Sequence, residues 1–195
     1  MFHDPIEKMV LHCCCAPCSC AIIELLLQER IDLTLFFYNP NIHPYDEYLR
    51  RKDELVRFAL ARGVLCIDGD YDVEHWFEYV KGYEGERERG ERCSKCFYMR
   101  LLTTAEYATR VGASHISTTL GISRWKDFSQ VTAAGTEAVA AFPKVKYLEY
   151  NWRKNGGTEA MHMLIKEEKF YRQTYCGCLF SRKNAPEADE QLLPK

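Results

Sequence analysis

The fold is decided by an apolar run that passes directly into a cysteine-rich loop, Lys8-Met9-Val10-Leu11-His12-Cys13-Cys14-Cys15-Ala16-Pro17-Cys18-Ser19-Cys20. Apolar residues then recur at helical spacing over residues 19–30, so the pattern predicts a strand over residues 8–12, a loop and a helix. The loop holds five thiols within eight residues. Adjacent thiols cannot all face one core and they are prone to oxidation, so their density indicates metal or redox chemistry.

The rest of the chain repeats this alternation of strand and helix. Four more strands are predicted over residues 33–38, 64–67, 114–120 and 145–148. Further helices are predicted over residues 45–63, 73–81, 97–111, 128–142 and 159–168. The alternation predicts an α/β fold with a mainly parallel five-stranded sheet flanked by helices. Because such sheets bind ligands at the carboxyl ends of their strands, we expect the metal site at that edge.

Length and composition limit the class of protein. With 195 residues, 47% of them hydrophobic, the chain can bury a core without disulfides. We predict one α/β domain over residues 1–182 and a polar tail over residues 183–195. The N-terminal residues show no signal peptide, and no apolar run is long enough for a membrane, so we expect a cytoplasmic protein with reduced thiols. The net charge of -2 means that a nucleic-acid partner would need a local basic surface.

Two pairs of cysteines have the spacing of metal ligands. Cys15 and Cys18 form the first pair, and Cys93 and Cys96 form the second. Together they offer four thiolates, which suits either tetrahedral zinc or an iron-sulfur cluster, and the spacing does not choose between them. Residues 97–111 are predicted to be helical, so Cys93 and Cys96 lie at or just before a helix N-terminus, where the helix dipole is expected to favour thiolates.

A third group of thiols is Cys176-Gly177-Cys178. Glycine permits the tight turn that a bond between the two sulfurs would need. The two thiols are therefore a reversible redox pair, further metal ligands, or simply buried. Cys66 lies in a predicted strand and is expected in the core. For Cys13 and Cys20, the sequence leaves open whether they pack in the core or bind metal.

Strand-end loops carry the remaining candidates. His43 lies between two prolines that can aim its imidazole, whereas His12 either binds metal or packs at the end of its strand. Asp70 is a candidate ligand or acid, although Gly-Asp after a strand is also ordinary turn chemistry. The segment Arg124-Trp125-Lys126 combines cations with an aromatic ring, which suits phosphate contact and base stacking. The first loop lacks the glycine fingerprints of nucleotide binding, so no nucleotide cofactor is indicated.

These residues occur together in a known family, the QueH-type epoxyqueuosine reductases, which the sequence closely resembles over nearly its whole length. The resemblance rests on Cys14-Cys15-Ala16-Pro17-Cys18-Ser19, Phe37-Tyr38-Asn39-Pro40-Asn41-Ile42-His43-Pro44 with Glu47-Tyr48, Gly69-Asp70-Tyr71, Arg92-Cys93-x-x-Cys96, Arg100-Leu101, Thr118-Thr119-Leu120, Ser123 with Lys126, and Tyr171-Arg172-Gln173-x-Tyr175-Cys176-Gly177-Cys178.

The resemblance implies a nucleotide-hydrolase-like (HUP or Rossmann-like) fold, a 4Fe-4S cluster and an adjacent mononuclear iron. It favours iron-sulfur over zinc, and it implies reductive removal of the epoxide oxygen from a modified base in the tRNA anticodon loop. The resemblance does not identify the electron donor. The metal ligands would be Cys14, Cys15, Cys18, Cys93 and Cys96. Many members of the family are expected to have serine at the position of Cys13, and Cys20 looks like an additional cysteine relative to the family pattern.

The resemblance also implies roles around the metal. Cys176 and Cys178 would store or relay electrons, and Asp70, His43 or Tyr38 would bind iron or supply a proton. Substrate contacts are predicted for Asn39, Asn41, Arg92, Arg100, Arg124 and Lys126. Two alternatives from other classes are a zinc-stabilised RNA-binding module without redox activity and a tRNA sulfur-transfer enzyme that uses a cysteine persulfide.

Overall fold

The computed structural model describes residues 5–184, which form the predicted α/β fold. The strands are β1 (Lys8–His12), β2 (Asp32–Phe37), β3 (Leu65–Asp68), β4 (His115–Thr118) and β5 (Lys146–Tyr147). The helices are α1 (Ala16–Gln28), α2 (Tyr45–Leu60), α3 (Val73–Tyr79), α4 (Glu91–Arg110), α5 (Phe128–Val139) and α6 (Gly157–Glu167). Two 3-10 helices span Thr119–Ile122 and Leu179–Asn184.

The five strands are all parallel and lie in the order β3-β2-β1-β4-β5. At the carboxyl end of the central strand, His12 pairs with Phe36 of β2 on one side and with Thr118 of β4 on the other. After β1, the chain adds β2 and β3 on one side of that strand. It then crosses back and adds β4 and β5 on the other side. This reversal opens a crevice beyond the ends of β1 and β4, which is where ligands bind in open parallel sheets.

Both faces of the sheet are covered, because successive side chains of the buried strands point to opposite faces. Leu11 and Leu35 face a core that includes Ile22 of α1 and Phe58 of α2. Val10, Phe36 and Ile116 face a second core that includes Trp76 of α3 and Met99 of α4. Burial of these apolar side chains fixes the strands, and with them the loops at their carboxyl ends.

Two helix starts differ from the prediction and matter for the site. α1 begins at Ala16 rather than residue 19, because Pro17 suits a first turn, where its missing N–H costs no hydrogen bond. α4 begins at Glu91 rather than residue 97, since extended Gly90 precedes it and Glu91 adds favourable negative charge to the first turn. Cys93 therefore lies in the first turn of α4, at its N-terminus as predicted, whereas Cys96 lies one turn further into the helix.

The ends of the chain are described only in part. The predicted polar tail over residues 183–195 lies outside the described residues from residue 185 onward, as do the first four residues. Within the described part, none of the helices has both the length and the apolarity needed to cross a membrane.

Candidate metal and redox site

A cluster of three thiols occupies the loop after β1. The sulfur atoms of Cys14, Cys15 and Cys18 all lie within 4.8 Å of one another, and within residues 5–184 they form the one group of three or more cysteine, histidine or acidic side chains this close together. Cys15 precedes α1 in an extended conformation and Cys18 lies in the first turn of that helix. The strand end and the helix start therefore bring the three sulfurs together.

Hydrogen bonds within this cluster favour one thiolate. The pKa of Cys14 is held well below its usual value, first by hydrogen bonds from the thiols of Cys15 and Cys18, and further by the positive charges of Arg100 and Lys126. Those same bonds to Cys14 raise the pKa of both donor thiols. A buried thiolate with two soft neighbours is a suitable donor set for zinc or for an iron-sulfur cluster.

Residues from distant parts of the chain hold the three thiols in place. Thr119, just after β4, accepts a hydrogen bond on its hydroxyl from the backbone N–H of Cys14 at 3.3 Å. Ser19 donates to the carbonyl of Cys15 at 2.7 Å, and Gln173 donates from its side-chain amide to the sulfur of Cys15 at 3.0 Å. The crevice between β1 and β4 thus supplies polar partners as well as metal donors.

The second predicted pair lies close by but is not part of this group. Cys93 packs against the apolar cluster that contains Cys14 and Cys15, whereas Cys96 is buried in the core beneath α4. Burial raises the pKa of Cys93, although its sulfur accepts a hydrogen bond from the backbone N–H of Arg89 at 3.3 Å. Desolvation is thus the larger effect on the pKa of Cys93 in this structure, and the predicted contribution of the helix dipole stays a prediction.

Cys176 has a cationic partner. The ammonium of Lys126 lies 3.3 Å from the sulfur of Cys176 and donates to it. Burial would raise the pKa of Cys176, but the charges of Lys126 and Arg100 outweigh it and lower the pKa. Burial raises the pKa of Cys178 to about 12, so the two free thiols of this pair differ strongly in acidity.

Cys13 and Cys20 lie in the core on the side of α1. Both are fully buried among apolar residues, and their thiols donate to the carbonyls of Leu11 and Pro17. Burial raises the pKa of Cys13 well above its usual value and that of Cys20 to about 11. Their surroundings give them packing roles.

The other predicted metal or proton-transfer residues are placed outside the thiol cluster. His12 is buried and uses both ring nitrogens, one with the Thr118 hydroxyl at 2.8 Å and one with the Tyr38 carbonyl at 3.2 Å. The Tyr38 ring is buried against Phe36, and burial raises its pKa. Asp70 is exposed in the loop after β3.

His43 is buried in an aromatic environment. Its ring lies 5.3 Å from the rings of both Trp76 and Phe77, and burial lowers its pKa to about 4. Its Nε2 atom is fully buried without a hydrogen-bond partner among the described residues. The roles of His43, Tyr38 and Asp70 in binding iron or moving protons stay predictions.

Four of the six predicted substrate contacts are buried. Arg92 donates to the carbonyls of residues 83, 84 and 86, and so organises the charged loop before α4. Arg100 donates to the side-chain oxygen of Asn39, whose amide donates to the carbonyl of Cys13 at 2.9 Å. Asn41 is also buried. In this structure Asn39, Arg92 and Arg100 support the loops around the site, and the predicted contacts of all four side chains with substrate stay predictions.

Of the two remaining predicted contacts, Lys126 is half-buried and donates to Cys176, whereas Arg124 is exposed at the mouth of the site. The Trp125 side chain is 65% exposed and the guanidinium of Arg124 lies 4.6 Å from the centre of its ring. Arg89 donates to the carbonyls of both residues. Because the backbone of Arg89 also bonds Cys93, this loop is tied directly to the cysteine site.

Some residues of the site were missed as functional residues by sequence reasoning. Thr119 and Gln173 appeared only within the motifs of the family resemblance. Arg51 lies in the basic run Arg50-Arg51-Lys52, which is typical of a solvated face. Arg51 is instead buried and donates to the carbonyls of Tyr175 and Cys176. No local pattern could indicate this contact, because it joins residues 125 positions apart in sequence.

Comparisons with known proteins agree with the geometry. A family model described as epoxyqueuosine reductase QueH matches residues 9–184. The chain is 49% identical to the protein named epoxyqueuosine reductase QueH from Acinetobacter baylyi, over 93% of this chain and 83% of the relative. It is 47% identical to the protein of that name from Haemophilus influenzae, over 96% and 77% of the two chains. It is 34% identical to the one from Thermotoga maritima, over 96% of each. The chain therefore belongs to the epoxyqueuosine reductase QueH family.

Proposed function

We propose that the protein reduces epoxyqueuosine to queuosine in the anticodon loop of tRNA. Membership of the family makes it an oxidoreductase, and the names of its relatives supply the substrate. The observation that carries the proposal is the three-thiol cluster at the sheet crevice, with the Cys176-Gly177-Cys178 segment beside it through Lys126. Because the substrate is a tRNA, we expect the protein in the cytoplasm.

The donor set fits the metal group that the family resemblance implies. Soft thiolates select iron-sulfur clusters or zinc, and the Cys14 thiolate is stabilised before any metal binds. We assign Cys14, Cys15, Cys18, Cys93 and Cys96 together as ligands of a 4Fe-4S cluster and an adjacent iron. When bound, these groups would pass single electrons and polarise the epoxide oxygen.

The protein's own dithiol can supply the electrons of the reaction. Removal of an epoxide oxygen to leave an alkene and water takes two electrons and two protons. Oxidation of Cys176 and Cys178 to a disulfide releases two electrons, and an external donor returns the disulfide to two thiols. With Cys176 as a thiolate, Cys178 provides one proton and the ammonium of Lys126 the other, which solvent then replaces.

The exposed loop at the mouth of the site is suited to the tRNA. An unstacked base of an anticodon loop can stack on Trp125, while Arg124 can meet a phosphate. Arg89 holds both residues by their carbonyls, so the loop is presented in one orientation next to Cys93. We therefore assign Arg124 and Trp125 to substrate binding.

The test is conversion of tRNA that carries epoxyqueuosine, with anaerobically purified protein and dithionite, followed by nucleoside mass spectrometry. We expect the parent and Cys20→Ala to form queuosine, and Cys15→Ala to form none. Cys20 is the matched control because it is a fully buried thiol of α1 that does not belong to the three-thiol cluster. Conversion by Cys15→Ala at the parental rate would contradict the assignment.

Metal and sulfide analysis of the same samples separates the alternatives. A brown protein that contains iron and sulfide and bleaches on reduction supports the cluster. A colourless protein with stoichiometric zinc and no conversion would instead support the RNA-binding module. Formation of a thiolated tRNA nucleoside would support sulfur transfer.

A further inference from the structure

The segment Tyr175–Cys178, here called the dithiol segment, is held by its backbone against α2. Arg51 of α2 donates from Nη1 to the carbonyl of Cys176 at 3.1 Å and from Nη2 to the carbonyl of Tyr175 at 3.2 Å. The planar guanidinium is suited to this, because it presents parallel donors in a fixed fork. One side chain therefore fixes two successive peptide groups.

Arg51 is itself fixed before it reaches the segment. Its side chain is 3% exposed, and its Nε donates to Glu47, one helical turn earlier, at 2.7 Å. The other carboxylate oxygen of Glu47 accepts a hydrogen bond from the Tyr171 hydroxyl at 3.0 Å. All three groups of the guanidinium thus have partners, and the fork has little freedom to turn.

Gly177 permits this close approach. Its φ of +103° is rarely adopted by other residues, and a Cβ atom there would lie 2.9 Å from Ile42 and 3.2 Å from Nη1 of Arg51. The N–H of His43 donates to the carbonyl of Gly177 at 2.9 Å, and the Tyr175 hydroxyl donates to the carbonyl of His43. The dithiol segment is therefore held by α2 on one side and by the loop before α2 on the other.

The orientation of the two thiols follows from these contacts. With the carbonyls of Tyr175 and Cys176 bound to Arg51, the sulfur of Cys176 lies 3.3 Å from the Lys126 ammonium. Cys178 is more deeply buried, at 8% exposure. The backbone contacts thus decide which sulfur meets the cation.

We propose that Arg51 is a positioning residue for the reductase reaction, which holds the dithiol segment so that Cys176, and not Cys178, is the reactive sulfur beside Lys126. This inference rests on the proposed function, because that function gives the dithiol its redox role. Arg51 touches neither sulfur, so it acts through the carbonyls of Tyr175 and Cys176.

The test compares the alkylation rates of Cys176 and Cys178 in anaerobically purified holoenzyme. In this reaction a thiolate displaces iodide from iodoacetamide and forms an S–C bond, and digestion with mass spectrometry reads each site. The variants are Arg51→Met, which removes the fork, and Arg51→Lys, which keeps the charge next to Glu47 and can donate to one carbonyl. Arg50→Met is the matched control, since Arg50 is the exposed neighbour that stacks on Tyr171.

We expect the parent and Arg50→Met to favour Cys176 by tenfold or more. The ratio should fall at least fivefold in Arg51→Met and by less in Arg51→Lys, and queuosine formation should fall in the same order while tRNA affinity is unchanged. If Arg51→Met does not fold, because Glu47 is left buried and unpaired, Arg51→Lys carries the test. A parental ratio in the folded variants overturns the inference.

The same measurements separate this inference from the proposed function. A reduced alkylation ratio in Arg51→Met, with a parent that forms no queuosine, leaves Arg51 as the residue that orients the thiols and refutes the reductase assignment. A parent that forms queuosine, with an alkylation ratio that Arg51→Met does not change, keeps the reductase and refutes the role of Arg51.

Discussion

At the scale of single residues, the acidity of each thiol follows from what it touches. Cys14 receives hydrogen bonds from two neighbouring thiols and has a lowered pKa, whereas Cys13, one residue earlier, faces apolar side chains and has a raised one. Desolvation disfavours a thiolate, and a nearby cation or donor favours it. The ten cysteines of the chain can therefore include reactive thiols and thiols that only pack in the core.

The contact between Lys126 and Cys176 makes a prediction for Lys126→Met. Loss of the ammonium should raise the pKa of Cys176 and slow its alkylation at pH 7, because less of the thiol is then ionised. The measurement is the pH dependence of Cys176 alkylation, whose midpoint should move upward. Lys95→Met is the control, because the Lys95 ammonium lies over Tyr79 and Tyr83 instead.

The same variant tests the earlier prediction that Lys126 binds a tRNA phosphate. If Lys126 serves Cys176 alone, the salt dependence of tRNA binding should be that of the parent. A shallower salt dependence in Lys126→Met, together with parental alkylation of Cys176, would indicate instead that Lys126 binds a phosphate of the tRNA.

At the scale of elements, the site depends on how closely loops approach strands. The loop after β3 lies directly on the end of β2, where the N–H of Gly69 donates to the carbonyl of Phe37 at 2.9 Å. A Cβ atom at Gly69 would lie 2.9 Å from Cβ of Tyr38 and 3.1 Å from the Phe36 ring. Glycine is therefore needed there for space.

This close approach predicts that Gly69→Ala destabilises the fold. Overpacking against two buried aromatic side chains should lower the free energy of unfolding by about 1–3 kcal/mol. Gly85→Ala is the control, because a Cβ there meets nothing within 4 Å, and its effect should stay within about 0.5 kcal/mol. Urea unfolding under anaerobic conditions measures both. Equal stability of the two variants would show that the loop after β3 can move away from β2.

At the scale of the whole molecule, tRNA binding depends on charged groups at the surface, whereas the pH dependence of stability depends on titratable groups in the interior. The net charge is only -2, so attraction to tRNA must come from local groups such as Arg124 at the mouth of the site. In the interior, burial keeps the imidazole of His43 uncharged by lowering its pKa to about 4. Each location gives a separate prediction.

Acid should destabilise the fold in part through His43. Because its pKa is lowered on folding, the unfolded state binds more protons than the folded state between about pH 4 and pH 6.5, so stability rises with pH across this window. The contribution is fully present above pH 6.5 and is about 3 kcal/mol at most. In His43→Phe, unfolding measured from pH 7 to pH 4 should show a correspondingly smaller loss of stability. An unchanged loss would mean that His43 is charged in the folded protein.

The weakening of tRNA binding by salt should come from a few contacts between basic side chains and phosphates. Arg124→Gln should reduce the slope of log affinity against log salt by about one, because each neutralised phosphate releases about one counterion. Arg57→Gln is the control, since Arg57 is also exposed but is paired with Glu168 away from the site. Filter binding at several salt concentrations gives the slopes. A parental slope for Arg124→Gln would remove Arg124 from the tRNA interface.

The sequence by itself determined the class of fold and the location of the site. Alternation of apolar strands and amphipathic helices depends on local periodicity, which does not need the tertiary structure, and it predicted the five parallel strands. The rule that ligands bind at the carboxyl ends of such strands then located the cysteine loop correctly. Helix starts were less accurate, because caps such as Gly90 and first-turn residues such as Pro17 give weak local signals.

Only the tertiary structure decided which side chains meet. Gln173 bonds Cys15 from 158 positions away, and Arg51 bonds Cys176 from 125 positions away. It also decided that Arg92 and Arg100, which were predicted as substrate contacts, are buried within the loops of the site. The physical reason is that burial and hydrogen bonding depend on the packing of the whole chain, whereas a sequence pattern records only the preferences of neighbouring residues.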